Sequence, residues 1–167
     1  MLVKEKIMGV KARLEDAMLL WDQGRKEGAW AVVLIAAAAT SRKRYPRPMR
    51  DNESFKQFIR DVQGTIILGD HPSPAMAPIQ FHGVPIEDVI YEHMRCNLVH
   101  EGELDPRVAL SESRIINGVL GAELRVGATN ELPDFWVIHL AKAVRLAPEN
   151  AAEFVTGPSV RGSWGFW

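Results

Sequence analysis

The chain is poor in the features that usually settle a protein's class at once. A single cysteine, Cys96, among 167 residues excludes an internal disulfide framework and suits a reducing compartment. No apolar run approaches the roughly 20 residues that a membrane-crossing helix needs. The longest, Ala29 to Ala39, has eleven residues and reads as a buried core helix. The opening Met1-Leu2-Val3 passes directly into alternating charged and apolar residues, which reads as the start of a helix and not as a secretory signal. An excess of one charge is lacking too. A net charge of -1 gives no global attraction for nucleic acid, so binding to RNA would need a local basic patch. No internal repeat or low-complexity linker interrupts the chain. The expectation is a cytoplasmic protein of one domain over residues 1–167, long enough to bury a core.

What is present is helical periodicity. Residues 3–23 place Val3, Ile7, Val10, Leu14, Ala17, Met18 and Trp21 at steps of three and four, the mark of an amphipathic helix. Residues 29–45 are apolar on nearly every face as far as Thr40, which predicts a central helix that stops before Pro46. A third helix is expected over 52–63, with Asp51 and Asn52 as N-cap types. The proline-rich segment that follows predicts a long loop, with Thr65 to Leu68 as a short strand. Pro85 opens a fourth helix over 86–100, and Gly102 suits its C-terminal cap. Beyond Asp105-Pro106 the segments 113–120 and 122–128 are rich in Ile, Val and Leu, and Asn117-Gly118 is a strong hairpin pair. Final helices are expected over 135–146 and 148–154. Trp21, Trp30 and Trp136 fall at core positions, while the GSWGFW tail is expected to dock on a surface. The fold class is therefore mainly α: a helical core over 1–104, a β-element over 105–130, and C-terminal helices with the tail over 131–167.

The residues that could carry chemistry gather in Tyr91 to Glu103, YEHMRCNLVHEGE. Arg95 is permanently charged and can grip a phosphate through two hydrogen bonds. His100 can exchange a proton near neutrality. Together they meet the needs of metal-free RNA cleavage: a base for the 2′-hydroxyl, an acid for the leaving oxygen and a cation for the crowded phosphate. An arginine and a histidine at this spacing arise about once by chance in such a chain. Five residues on an ideal helix also turn through about 140°, so the two do not share a face unless the helix end frays or two subunits meet. A second feature is the cluster Arg42, Lys43, Arg44, Arg47 and Arg50, which could follow a phosphate backbone. It serves equally well as the basic end of helix two. Arg95 could likewise pair with Glu92 or Glu101, and His100 could sit at its helix end for the dipole alone. No zinc-ligand spacing is present, and neither a metal nor another cofactor is expected.

The run Tyr91-x3-Arg95-Cys96-Asn97-Leu98-Val99-His100-Glu101-Gly102 resembles the last-helix signature of HEPN domains, helical bundles with an Arg-x4–6-His motif. That resemblance implies an antiparallel bundle with a small β-hairpin after the motif helix. It also implies a metal-independent endoribonuclease that works as a homodimer through that helix, in a toxin–antitoxin or anti-phage setting with an antitoxin or regulatory protein as partner. Arg95 and His100 would be catalytic, with Asn97 orienting one of them. The alternative it implies is a non-catalytic module that binds a nucleotide, RNA or protein.

Overall fold

The computed structural model describes residues 9–155 and 164–165. Three long helices form its centre: α1 (Val10–Asp22), α2 (Lys26–Arg44) and α3 (Asp51–Leu68). The fold is mainly α, as expected. Helix α2 is the central one. Ala29, Trp30, Val33, Leu34, Ala36 and Ala37 are all without solvent exposure, because a helix apolar all round must be covered on every side. Its alanines let α1, α3 and a later helix approach closely, and one contiguous apolar cluster results. Positions 3–8 of the expected first helix lie outside the described residues. Trp21 is half-buried, with the Lys26 ammonium 3.2 Å from its ring centroid, and so is not the core residue its spacing suggests.

Helix α3 corrects one expectation. Thr65 to Leu68 form no strand; they continue the helix to a left-handed cap at Gly69 (φ 75°). Gly64 reads as a helix breaker in the sequence but is required by packing. The following loop crosses here, so a Cβ on Gly64 would run into the Pro74 carbonyl oxygen and lie 2.9 Å from Pro74 Cδ. Ser73 Oγ accepts a hydrogen bond from the Thr65 amide at 3.2 Å. The helix also begins one residue earlier than expected, with Arg50 at the N-cap.

A two-residue ladder, β1 (Gln80–Phe81) with β2 (Val84–Pro85), leads into α4, residues 86–100. This helix is regular at Ile86–Asp88 and Asn97–His100 but π-helical over Val89–Cys96. Gly102 ends it as expected: its φ is +77° and its amide donates to the Asn97 carbonyl at 3.0 Å. Next come β3 (Val108–Ser111), β4 (Arg114–Ile116), β5 (Val119–Gly121) and β6 (Asn130–Pro133). β4 and β5 form the expected hairpin, with Asn117 and Gly118 at φ 52° and 78° as a tight primed turn demands. The expected second strand over 122–128 is reduced to a bridge from Arg125 to Glu131. The parallel pairing of β3 with β6 joins segments about twenty residues apart and leaves no local signal.

Helix α5 (Trp136–Arg145) packs on α2 and α3, followed by a 3-10 turn (Pro148–Asn150) and α6 (Ala151–Val155). Lys142 caps α3 by donating to the Gly69 carbonyl at 2.7 Å. Buried Asn150 donates to Thr40 Oγ1 at 2.9 Å and to the Val144 carbonyl at 2.8 Å. Trp164 is buried, whereas the expected docking of Phe166 and Trp167 lies outside the described residues. No helix among the described residues is long and apolar enough to cross a membrane.

Gly64 supplies a test whose sign is unusual. Replacing a glycine inside a helix by alanine ordinarily stabilises by up to about 1 kcal/mol. Gly64→Ala is expected instead to destabilise by roughly 1–3 kcal/mol, because the added methyl group meets backbone that must move. Urea denaturation of both proteins checks this; a stabilised variant would show that the crossing loop yields freely.

Candidate functional site

The motif residues occupy the π-helical stretch and the turn after it. A π-helix adds a residue per turn and is frequent at functional sites. Arg95 is half-buried, and its guanidinium centre lies 5.4 Å from the Phe55 ring centroid and 5.6 Å from that of Tyr91. Its Nε is buried without a hydrogen-bond partner among the described residues. None of the ion pairs among the described residues involves it: Lys56, beside it, takes up Asp88 at 2.7 Å and Glu92 at 3.3 Å. Asn97 is half-buried, and its carbonyl receives the Glu101 and Gly102 amides. His100 is exposed at the last helical position. Arg95 is thus held against aromatic rings on α3 and α4, while His100 stands in solvent more than about a third of a turn away around the axis. The structure does not gather the three into one cleft.

Other polar groups on this helix are engaged or enclosed. The Tyr91 phenol is pushed up by burial and by the neighbouring Cys96 thiol. Cys96 is only half-buried, less enclosed than a small core residue. His93 is buried with its Nδ1 unpartnered, and its carbonyl accepts the Asp105 amide at 3.2 Å. The Arg107 guanidinium grips both Asp105 oxygens, at 2.9 and 2.6 Å, and holds that carboxyl well below the usual range.

The basic cluster is largely committed to the fold. Arg42 pairs with Asp51. Lys43 reaches Asn150 Oδ1 and Glu153 Oε1, both at 2.9 Å. Arg44 clasps Glu149 through Nε at 2.8 Å and Nη2 at 3.2 Å, and also meets Asp61 at 3.3 Å. Tyr45 donates to Asp61 at 2.5 Å, and burial together with this bond pushes its phenol up to about 12. Only the Arg47 and Arg50 side chains are exposed without an ion pair among the described residues, and the Arg50 amide donates to Glu53 Oε2 at 3.4 Å. The cluster's partners, Glu149, Asn150 and Glu153, lie more than 100 residues away in sequence, so its role as a clamp between α2 and the C-terminal helices is invisible to local reading.

A second location, missed by the sequence, has the stronger geometry. A cleft of about 1070 Å³ opens between residues 24–28, at the turn into α2, and residues 102–112, with Asp134 also in its wall. Helix α2 presents its N-terminus here without a side-chain cap, so the first-turn amides and the positive end of its dipole are available to an anion. Asp134 is 2% exposed. Its backbone is fully used: the amide donates to Ser111 at 3.0 Å and the carbonyl accepts Trp30 Nε1 at 3.1 Å. Its carboxyl Oδ1 is buried with no partner among the described residues. A Pro-Asp pair before a helix reads as a capping sequence, yet the N-cap of α5 is Phe135 and carries no side-chain cap. Asp134 sits one residue too early to cap its own helix, and the residue forms part of the cleft wall. Arg25, Lys26, Glu27, Glu103 and Glu112 complete a polar rim. Among the described residues no group of three His, Cys, Asp or Glu side chains could hold a metal ion.

Comparison with known proteins revises the expected kinship. A model of the family described as Rv1289 matches residues 9–164. The match covers nearly the whole chain and is not to a HEPN family, so the HEPN resemblance is overturned. The Arg95–His100 spacing that carried it is common enough to arise by chance. No curated protein and no solved structure matches the chain.

The clamp at the end of α2 makes stability depend on pH. Arg44 holds Glu149 below its ordinary value through hydrogen bonding and charge, and Lys43, aided by the Lys11 amide, does so for Glu153 against the cost of burial. A carboxylate with a depressed folded-state pKa stabilises above its unfolded value and loses that contribution as pH falls through the folded one. The melting temperature should therefore drop between about pH 5 and pH 3. Arg44→Leu should lower it more at pH 7 than at pH 3, flattening the profile; parallel profiles for the two proteins would contradict the assignment.

Proposed function

The chain belongs to the Rv1289 family, and we propose that within it this domain binds a small polar ligand in the cleft at the N-terminus of α2. The observation that carries this reading is Asp134, a residue of the wall of a cleft of about 1070 Å³, which is 2% exposed and whose carboxyl Oδ1 is buried with no partner among the described residues. An unsatisfied buried oxygen costs on the order of 1–3 kcal/mol, and a hydrogen-bond donor or ammonium group on a ligand, met by a turn of the carboxyl group toward the cleft, would remove that cost. The uncapped amides of α2, with Arg25 and Lys26 beside them, favour an anionic group at the other end. A molecule that carries both, such as an aminoalkyl phosphate or an amino acid, matches this polarity.

A second reading, metal-independent RNA cleavage by Arg95 and His100 with Asn97, draws on the unpaired guanidinium in a π-helical stretch. The separation of Arg95 from exposed His100 and the neutralised basic cluster weigh against it.

Both readings are open to direct tests. Titration of the isotopically labelled protein with phosphoethanolamine, and with inorganic phosphate for comparison, is expected to shift amide resonances of residues 24–28 and 102–112. Asp134→Asn, which keeps the shape, should weaken phosphoethanolamine at least about tenfold and phosphate less. Unmoved cleft resonances, or equal binding by the variant, would refute this assignment. On a mixed RNA pool in EDTA, wild type, Arg95→Ala and His100→Ala should all leave RNA intact; cutting by wild type that both substitutions abolish would reinstate the ribonuclease.

A further inference from the structure

The β4–β5 hairpin is exposed in a way that its composition does not explain. Ile115 (75%), Ile116 (56%), Val119 (67%) and Leu120 (43%) all lie open to solvent. The register sets Ile115 beside Leu120 and Ile116 beside Val119. Since alternate residues point to opposite sides, both faces of the ribbon are apolar. Among the described residues the two strands pair only with each other, leaving an unpaired backbone edge on each. A two-stranded ribbon is marginal in water by itself, and such an edge is a template for another strand.

The flanking charges indicate what that strand is. Glu112 and Arg114 are both exposed, and the ion pairs among the described residues involve neither. An antiparallel pairing of this segment with itself, about a two-fold axis at Ser113, sets each Glu112 opposite the Arg114 of the other copy. The edge is therefore complementary to its own sequence, which is the requirement of an isologous interface. By contrast, the exposed large apolar side chains of α4 reduce to Val99 alone among the described residues, so the motif helix offers little for a dimer to bury.

We infer that the hairpin is a dimerisation arm, whose partner is a second copy of this chain added antiparallel along residues 110–116, so that β4 of each copy lies against the end of β3 of the other. This inference does not rest on the cleft reading, although Glu112 belongs to both surfaces. Sedimentation velocity on the full chain at about 100 μM should show a dimer. Ile115→Glu/Val119→Glu, on exposed positions, should give a folded monomer by circular dichroism. Glu112→Arg alone should weaken association about 2- to 30-fold through two lost cross-strand pairs, and Glu112→Arg/Arg114→Glu should recover it. In a Cys96→Ser background, Ser113→Cys should cross-link to itself, because directly opposed residues bring their Cα atoms to about 5.5 Å. A monomeric wild type, or a dimer indifferent to these substitutions, would overturn the proposal.

Discussion

The burial of α2 on all sides is the constraint from which the rest of the structure follows. A helix with Trp30 and the alanines 29, 36 and 37 fully enclosed cannot satisfy itself with one neighbour. It draws α1, α3 and α5 around it and needs polar anchors at both ends, where backbone groups have no helical partner. At its C-terminus the solution is charge: Lys43 and Arg44 reach across to Glu149, Asn150 and Glu153. At its N-terminus no such cap forms, and Trp30 instead donates to the Asp134 carbonyl, fixing the end of β6 against the helix. One end of α2 is closed by the protein, and the other remains open onto a cleft.

That asymmetry separates structural from functional charge. Arg42, Lys43 and Arg44, conspicuous cations of the sequence, are absorbed in holding the fold, whereas an inconspicuous aspartate has one carboxyl oxygen enclosed without a partner among the described residues. Unsatisfied buried groups are few in folded proteins. Three of those found here, on His93, Arg95 and Asp134, lie on α4 or beside the segment that follows it. Asp134 is the one in the wall of the cleft, where hydrogen bonds at its amide and its carbonyl fix the backbone that carries the carboxyl group.

The helices were legible in the sequence because burial repeats at their period: Leu14, Ala17 and Met18, or Phe55, Phe58, Ile59 and Val62, mark the enclosed faces directly. Failures occurred where a distant segment decides. Gly64 breaks a pattern locally, yet it is needed because Pro74 crosses there. The π-helical winding of Val89–Cys96 leaves the residue pattern of an ordinary amphipathic helix. The parallel pairing of β3 and β6 is a long-range event. For the site, the sequence located chemistry-bearing residues on α4 but could not show that Arg95 turns to Phe55 while His100 faces solvent. Asp134 gave no signal beyond a familiar capping pair, since what singles it out is the lack of an amide in reach.

A high-resolution crystal structure of the protein grown with an aminoalkyl phosphate tests the central claim most directly, because it shows what Asp134 touches. The account predicts an ordered ligand whose donor group lies within hydrogen-bond distance of Asp134 Oδ1, with its anionic end at the amides of residues 26–28. A carboxyl group satisfied by the protein's own N–H groups, beside a cleft holding only bulk solvent, would contradict it.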